Sequence, residues 1–82
     1  MEDLKFLEAV SQRIKDLLER KQMRVKDLAE KSGVGMTTIY YIIGAKKRIK
    51  ADIIYLIARA FGMNLSEFFN DPMFDDRRLK QE

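Results

Sequence analysis

The 82-residue chain contains no cysteine and no histidine. Without cysteine it forms no disulfide, and without either residue type it lacks the usual protein ligands of zinc and other soft metals. Histidine is also the most frequent general acid or base in enzymes, and cysteine is a common nucleophile. The sequence shows neither a glycine-rich phosphate loop nor a serine with a plausible base beside it. We therefore expect a protein that is not an enzyme and that uses no cofactor, metal or small-molecule ligand.

Long hydrophobic runs are absent as well. The longest, "IIYLIA" at 53–58, is far shorter than the roughly 20 residues that span a bilayer. The opening "MEDLKFLEAV" begins with acidic residues and not with the basic segment of a secretory signal. The lack of cysteine fits a reducing compartment. These features predict a cytoplasmic protein without a membrane segment, and its length is that of one domain.

Charge is distributed unevenly along the chain. The formal net charge is only +3, but residues 20–50 carry nine basic and two acidic residues, whereas the segments on either side are each net negative. A basic block of this kind suggests a surface that binds a polyanion. Charge by itself leaves open a solvated surface on which basic residues cluster by chance.

Apolar residues recur at three- and four-residue spacing, which is the pattern of amphipathic helices. The spacing predicts five helices and no strand, and hence an all-α domain. The predicted helices cover about 4–22, 25–32, 36–43, 52–61 and the short segment "LSEFF" at 65–69. In the fourth helix we expect the inward residues to be Ile53, Leu56, Ile57 and Ala60. Residues 1–70 would form the folded domain and residues 71–82 a charged C-terminal tail.

The spacing around Gly33 predicts a helix-turn-helix. Ala29, four residues earlier, is small enough for the point where two helices cross, and Gly33 tolerates the left-handed backbone of a tight turn. Ile39 and Ile42 lie one turn apart and would anchor the inner face of the third helix. Its outer face, with two adjacent tyrosines, would then fit the major groove of DNA, which admits an α-helix.

Two segments resemble the lambda-repressor-like (Cro/Xre-type) helix-turn-helix regulators. "VKDLAEKSGVGMTTIYYI" is similar to the two-helix motif of that family, and "LIARAFGMNLSEFF" to its fourth and fifth helices. The resemblance covers residues 13 to 69 without a gap. It implies a compact five-helix DNA-binding domain, a role in transcription regulation, often as a repressor in bacteria, phages or plasmids, and double-stranded DNA and a second copy of the chain as partners.

Four positions depart from the family pattern. Val25 stands where a glutamine is usual, Gly35 replaces a serine cap, Met36 an arginine or glutamine, and Ile43 a glutamate. These changes remove polar groups that read bases. An alternative is therefore a protein-interaction module on the same scaffold, antitoxin-like or a degenerate regulator. The basic block alone would also suit RNA or nonspecific nucleic-acid binding.

The candidate site residues form three groups. The DNA base-contact candidates are Met36, Thr37, Tyr40 and Tyr41. The DNA phosphate-contact candidates are Arg24, Lys26, Lys46, Lys47, Arg48 and Lys50. The candidates for a dimer contact are Phe69, Met73 and Phe74. Solvated charges in the loop, and a tail that folds back on its own chain, are the alternatives for the last two groups.

Overall fold

The structure is a computed structural model that describes residues 2–46 and 48–75, with side chains from residue 6 onward. These residues form five α-helices, no β-strand and one 3-10 turn, which confirms the all-α prediction. The elements are α1 (Glu2–Arg20), α2 (Val25–Ser32), α3 (Met36–Ile43), α4 (Ala51–Ala60), α5 (Leu65–Phe69) and the 3-10 turn Pro72–Phe74. Along this described part of the chain, no helix is long and apolar enough to cross a membrane.

One apolar core holds the helices together. α3 packs on α1 and α2, α2 also packs on α4, and α4 packs on α5. The fully buried side chains come from every helix and include Val10, Ile14, Leu28, Ile39, Ile42, Ile57 and Phe68. In α1 they recur at the spacing that the sequence shows, because a helix brings every third or fourth residue to the same face.

The predicted inner face of α4 is partly wrong. Of the residues expected inside, Ile57 is fully buried, but Leu56 is exposed and Ile53 and Ala60 are half-buried. Ile54 and Ala58 are buried beside Ile57 instead. The segment is apolar on nearly every side, so its periodicity does not select one stripe. The contacts of α4 with α2 and α5 make that choice and leave Leu56 on the outside.

Capping residues determine where α5 begins. The Asn64 side chain accepts a hydrogen bond from the Glu67 backbone N–H at 2.8 Å, and the Glu67 carboxylate accepts one from the Asn64 N–H at 2.9 Å. This reciprocal pair satisfies two N–H groups that a helix start leaves without partners. Asn64 is thus the N-cap residue of α5. The helix ends at Phe69, ahead of Pro72.

A buried arginine on α1 connects this helix to the end of α5. Arg13 is only 4% exposed. Its Nε donates to the Phe68 carbonyl oxygen at 2.7 Å, its Nη2 to the Glu67 carbonyl oxygen at 2.9 Å, and its Nη1 lies 3.4 Å from the Asp71 carboxylate. The positive charge thus meets the carbonyl end of α5, where the helix dipole is negative. Periodicity does not reveal this role, because an arginine on α1 is ordinarily a solvent-exposed residue.

Candidate nucleic-acid interface

The turn between α2 and α3 has the geometry of a helix-turn-helix. Gly33 ends α2 in the left-handed conformation, with φ 77°, and its N–H donates to the Ala29 carbonyl oxygen at 2.9 Å. The next residue, Val34, is buried, and its N–H donates to the Ser32 hydroxyl at 3.1 Å. Ala29 is half-buried and packs against the core, and its place at the helix crossing remains a prediction. The turn is thus fixed by its backbone conformation and by Val34.

The outer face of α3 is open to solvent. Ile39 and Ile42 are buried against α1 and α2, and this orientation leaves Tyr40 56% exposed and Tyr41 46% exposed. Met36 is 41% exposed, and Thr37 is exposed as well. The four base-contact candidates therefore all lie on exposed positions of a single helix. The N-cap residue before α3 is Gly35, which has no side chain to act as a cap, so the first N–H groups of α3 are not satisfied by a capping side chain.

The carboxyl end of α3 is tied to α1. The Ser11 hydroxyl donates to the Ile43 carbonyl oxygen, and Ser11 is only 4% exposed. The Ile43 side chain is half-buried and packs against the core. Ile43, which departs from the family pattern, thus contributes to packing here. Ser11 could not be assigned this role from the sequence, because nothing near it in the chain indicates its partner on α3.

A basic loop follows α3. Lys46, Arg48 and Lys50 are exposed, whereas Ile49 between them is half-buried and packs against the core. Ile49 therefore holds the loop against the domain while the charged residues beside it remain in solvent. Lys47, the other predicted phosphate contact of this loop, lies outside the described residues. The signal in the sequence for this role of Ile49 is its position as one apolar residue among four basic ones.

The start of α2 contributes two more exposed cations, Arg24 and Lys26. The Arg24 backbone N–H donates to Asp27 Oδ2 at 3.0 Å, and Arg24 Nε lies 3.5 Å from the same oxygen. The backbone hydrogen bond from Arg24 lowers the pKa of Asp27, and the Arg24 charge acts in the same direction. Asp27 therefore remains ionised and competes with any phosphate for Arg24. This competition was not foreseen from the sequence.

The three candidates for a dimer contact, Phe69, Met73 and Phe74, lie at the end of α5 and in the 3-10 turn after it. Phe69 stacks on Phe6 with ring centroids 6.2 Å apart and meets Phe74 edge-on at 4.9 Å. Both rings pack against the core of their own chain, and Met73 is half-buried beside them. Much of the aromatic surface is thus covered within one chain, in the manner of a tail that folds back. Residues 76–82 of the predicted tail lie outside the described part of the chain.

Comparison with known families identifies the class of this domain. The model of the Cro/C1-type HTH DNA-binding domain matches residues 13–72, which is more than half of the chain. The chain belongs to this family, whose members are typically non-enzymatic. The resemblance seen in the sequence is thereby confirmed, and DNA binding is the activity that the family implies. No curated protein and no solved structure matches the chain.

Proposed function

We propose that this protein is a sequence-specific transcriptional regulator that binds double-stranded DNA as a homodimer and has no enzymatic activity. The outer face of α3 enters the major groove, and Met36, Thr37, Tyr40 and Tyr41 contact base edges. The tyrosine rings would contact thymine methyl groups and their hydroxyls phosphate oxygens. Such a protein works in the compartment that holds the DNA, in accord with the cytoplasmic location expected from the sequence.

One observation carries this proposal: the exposed face of α3 lies next to exposed cations on both sides along the chain. Arg24 and Lys26 precede the helix-turn-helix, and Lys46, Arg48 and Lys50 follow it. Cations in these positions suit the phosphate strands beside a groove that α3 occupies. The N-terminus of α2 adds backbone N–H groups, which favour an anion at that point. Lys47 belongs to the same proposed group by its place in the loop.

The decisive experiment is an unbiased selection of duplex DNA by the purified protein. A specific regulator enriches one sequence, and a homodimer enriches a palindrome because its two copies of α3 are related by a twofold axis. Retention of duplexes without enrichment would instead identify a nonspecific nucleic-acid-binding protein. Failure to retain any duplex at low salt would reject DNA binding.

The roles of the loop and of α3 are separated by the salt dependence of binding. Replacing Lys46, Arg48 and Lys50 by glutamine should weaken binding to all duplexes, and each lost phosphate contact should reduce the slope of log K against log salt by about 0.9. Lys15→Gln removes an exposed charge outside the basic block and serves as the control. Tyr40→Ala with Tyr41→Ala should leave the slope unchanged and reduce discrimination by about 1–3 kcal/mol per lost base contact.

The second candidate function is a protein-interaction module on the same scaffold. The observation in its favour is the chemistry of the α3 face, where Met36, Tyr40 and Tyr41 are exposed and no charged residue lies between them. Methionine and tyrosine are enriched at protein interfaces, where they supply contact area. If the three glutamine replacements leave the salt slope unchanged and selection enriches nothing, this second function becomes the better proposal.

A further inference from the structure

The corrected orientation of α4 leaves an unusual face on the outside of the domain. Asp52, Tyr55, Leu56 and Arg59 are all exposed, with Tyr55 at 44% and Leu56 at 36%. They occupy positions i, i+3, i+4 and i+7, which lie along one side of a helix. An acidic residue thus lies at one end of a two-turn stripe, a basic residue at the other, and two large apolar side chains in the middle.

This arrangement is self-complementary under a twofold rotation. When two copies of α4 pack antiparallel, with Tyr55 of each against Leu56 of the other, Asp52 of each copy faces Arg59 of the other. The same four residues then form both halves of the interface, as a symmetric dimer requires. We propose that α4 docks against α4 of a second copy of this chain, with the Tyr55–Leu56 pair at the centre and two Asp52–Arg59 pairs at the ends.

The charged ends of the face are available for such pairing. Within the part of the chain that the structure describes, Asp52 forms no ion pair. Arg59 lies along the ring of Tyr55, with its guanidinium carbon 5.7 Å from the ring centroid and Nη1 3.5 Å from the tyrosine hydroxyl. Asp52 and Arg59 are seven residues apart on one helix, beyond the spacing at which two side chains of the same helix pair. A second copy therefore supplies the opposite charge that each residue lacks.

The aromatic cluster of Phe6, Phe69 and Phe74 is a weaker candidate for the contact with a second copy. Phe69 and Phe74 pack on Phe6 and on the core of their own chain, whereas Tyr55 and Leu56 are outside the core. A two-turn helix face buries less surface than a permanent protein interface. We therefore expect a reversible dimer whose population rises with concentration and which binding to two half-sites of DNA reinforces. The inference rests on the proposed homodimer and names its surface.

Charge reversal tests the pairing directly. Asp52→Arg and Arg59→Asp each place like charges opposite one another at both ends of the interface, so each should raise the dimer dissociation constant by roughly tenfold or more. The double variant that exchanges the two residues restores opposite charges and should dimerise like the parent chain. Sedimentation velocity across a concentration series, without DNA, measures all three. Circular dichroism checks the fold, and recovery in the double variant shows that Arg at position 52 is compatible with folding.

Two control variants locate the effect. Glu8→Arg changes the charge by the same amount on an exposed position of α1 and should leave the dissociation constant unchanged. Met73→Glu places a charge in the C-terminal group of dimer candidates and should also leave it unchanged. The inference is overturned if the full chain remains monomeric at millimolar concentration. It is equally overturned if both single reversals dimerise like the parent chain, or if Met73→Glu alone abolishes the dimer.

The DNA selection keeps this inference separate from the proposed function. An enriched site together with a chain that stays monomeric rejects the α4 interface and leaves specific DNA binding intact. A dimer that follows the charge-exchange pattern but enriches no sequence supports the α4 interface and rejects specific reading of bases.

Discussion

The helix ends beside the candidate DNA surface differ from those around α5. The N-cap positions of α3 and α4 are Gly35 and Lys50, and neither supplies a capping side chain. α5 has a reciprocal Asn64–Glu67 cap at its start, and two of its carbonyl oxygens accept hydrogen bonds from Arg13, which also contacts the Asp71 carboxylate. The backbone of α5 is thus satisfied by side chains at both ends, whereas the starts of α3 and α4 have no capping side chain. Uncapped N–H groups suit a surface that meets an anionic partner.

Among the substitutions that test this comparison, Arg13→Met should have the largest effect on the free energy of unfolding. The replacement keeps much of the side-chain volume but removes the donor to the buried Phe68 carbonyl oxygen and the positive charge beside the Asp71 carboxylate. Leaving these two groups without their partner should lower the free energy of unfolding by about 2–4 kcal/mol. Urea denaturation followed by circular dichroism measures the loss.

Arg20→Met is the matched control for that change, because Arg20 is an exposed arginine on the same helix. It should change the free energy of unfolding by no more than about 0.5 kcal/mol. Equal stability of the two variants would show that the carbonyl end of α5 does not depend on Arg13.

Smaller effects on stability, of opposite sign, are expected from substitutions of Gly33 and Gly35 in the turn. Gly33→Ser forces a left-handed conformation, at φ 77°, on a residue with a side chain, and should destabilise the domain by about 1–2 kcal/mol. Gly35→Ser places a good cap at φ −62°, where no atom outside the adjoining residues lies within 4 Å of the added carbon, and should stabilise α3 by about 0.3 kcal/mol.

Thermal melts of the two serine variants compare the positions directly. Because the same residue is introduced two positions apart, differences in side-chain composition cancel. If Gly33→Ser melts at or above the parent temperature, the left-handed turn is not required. If Gly35→Ser also weakens DNA binding, the uncapped start of α3 lies against the DNA backbone.

The smallest expected effect is the pH dependence of stability that Asp27 contributes at the start of α2. The pKa of Asp27 is lowered from 3.8 in the folded chain, so the carboxylate stabilises the domain above that value and this contribution disappears as pH falls through the lowered pKa. Asp27→Asn should therefore be slightly less stable than the parent chain at pH 7 and equally stable in strong acid. Comparing the two chains cancels the titration of all other carboxyl groups. A difference that persists unchanged in acid would exclude this role of the carboxylate.

Prediction from the sequence succeeded where one helix or one turn carries its own signal. The bounds of α2, α3 and α5 agree with the spacing of apolar residues, and Gly33 has the conformation that the turn requires. The prediction was partly wrong for α4. Apolar residues lie on several sides of this helix, so its pattern did not determine the inner face, and Leu56, which was expected inside, is exposed. The candidate DNA contacts of α3 and of the loop remain predictions, and the exposure of all of them except Lys47, which lies outside the described residues, is now known.

The sequence by itself determined the five helices, the helix-turn-helix and the basic block, because helical periodicity, left-handed glycine turns and charge are properties of residues close together in the chain. Only the tertiary structure decided that Arg13 donates hydrogen bonds to carbonyl oxygens of α5, that Ser11 donates one at the end of α3, and that Ile49 packs the basic loop against the core. These contacts join residues distant in sequence or depend on which surface the core leaves available. Packing also selected the outer face of α4, because its burial depends on the shape of α2 and α5 and not on its own pattern.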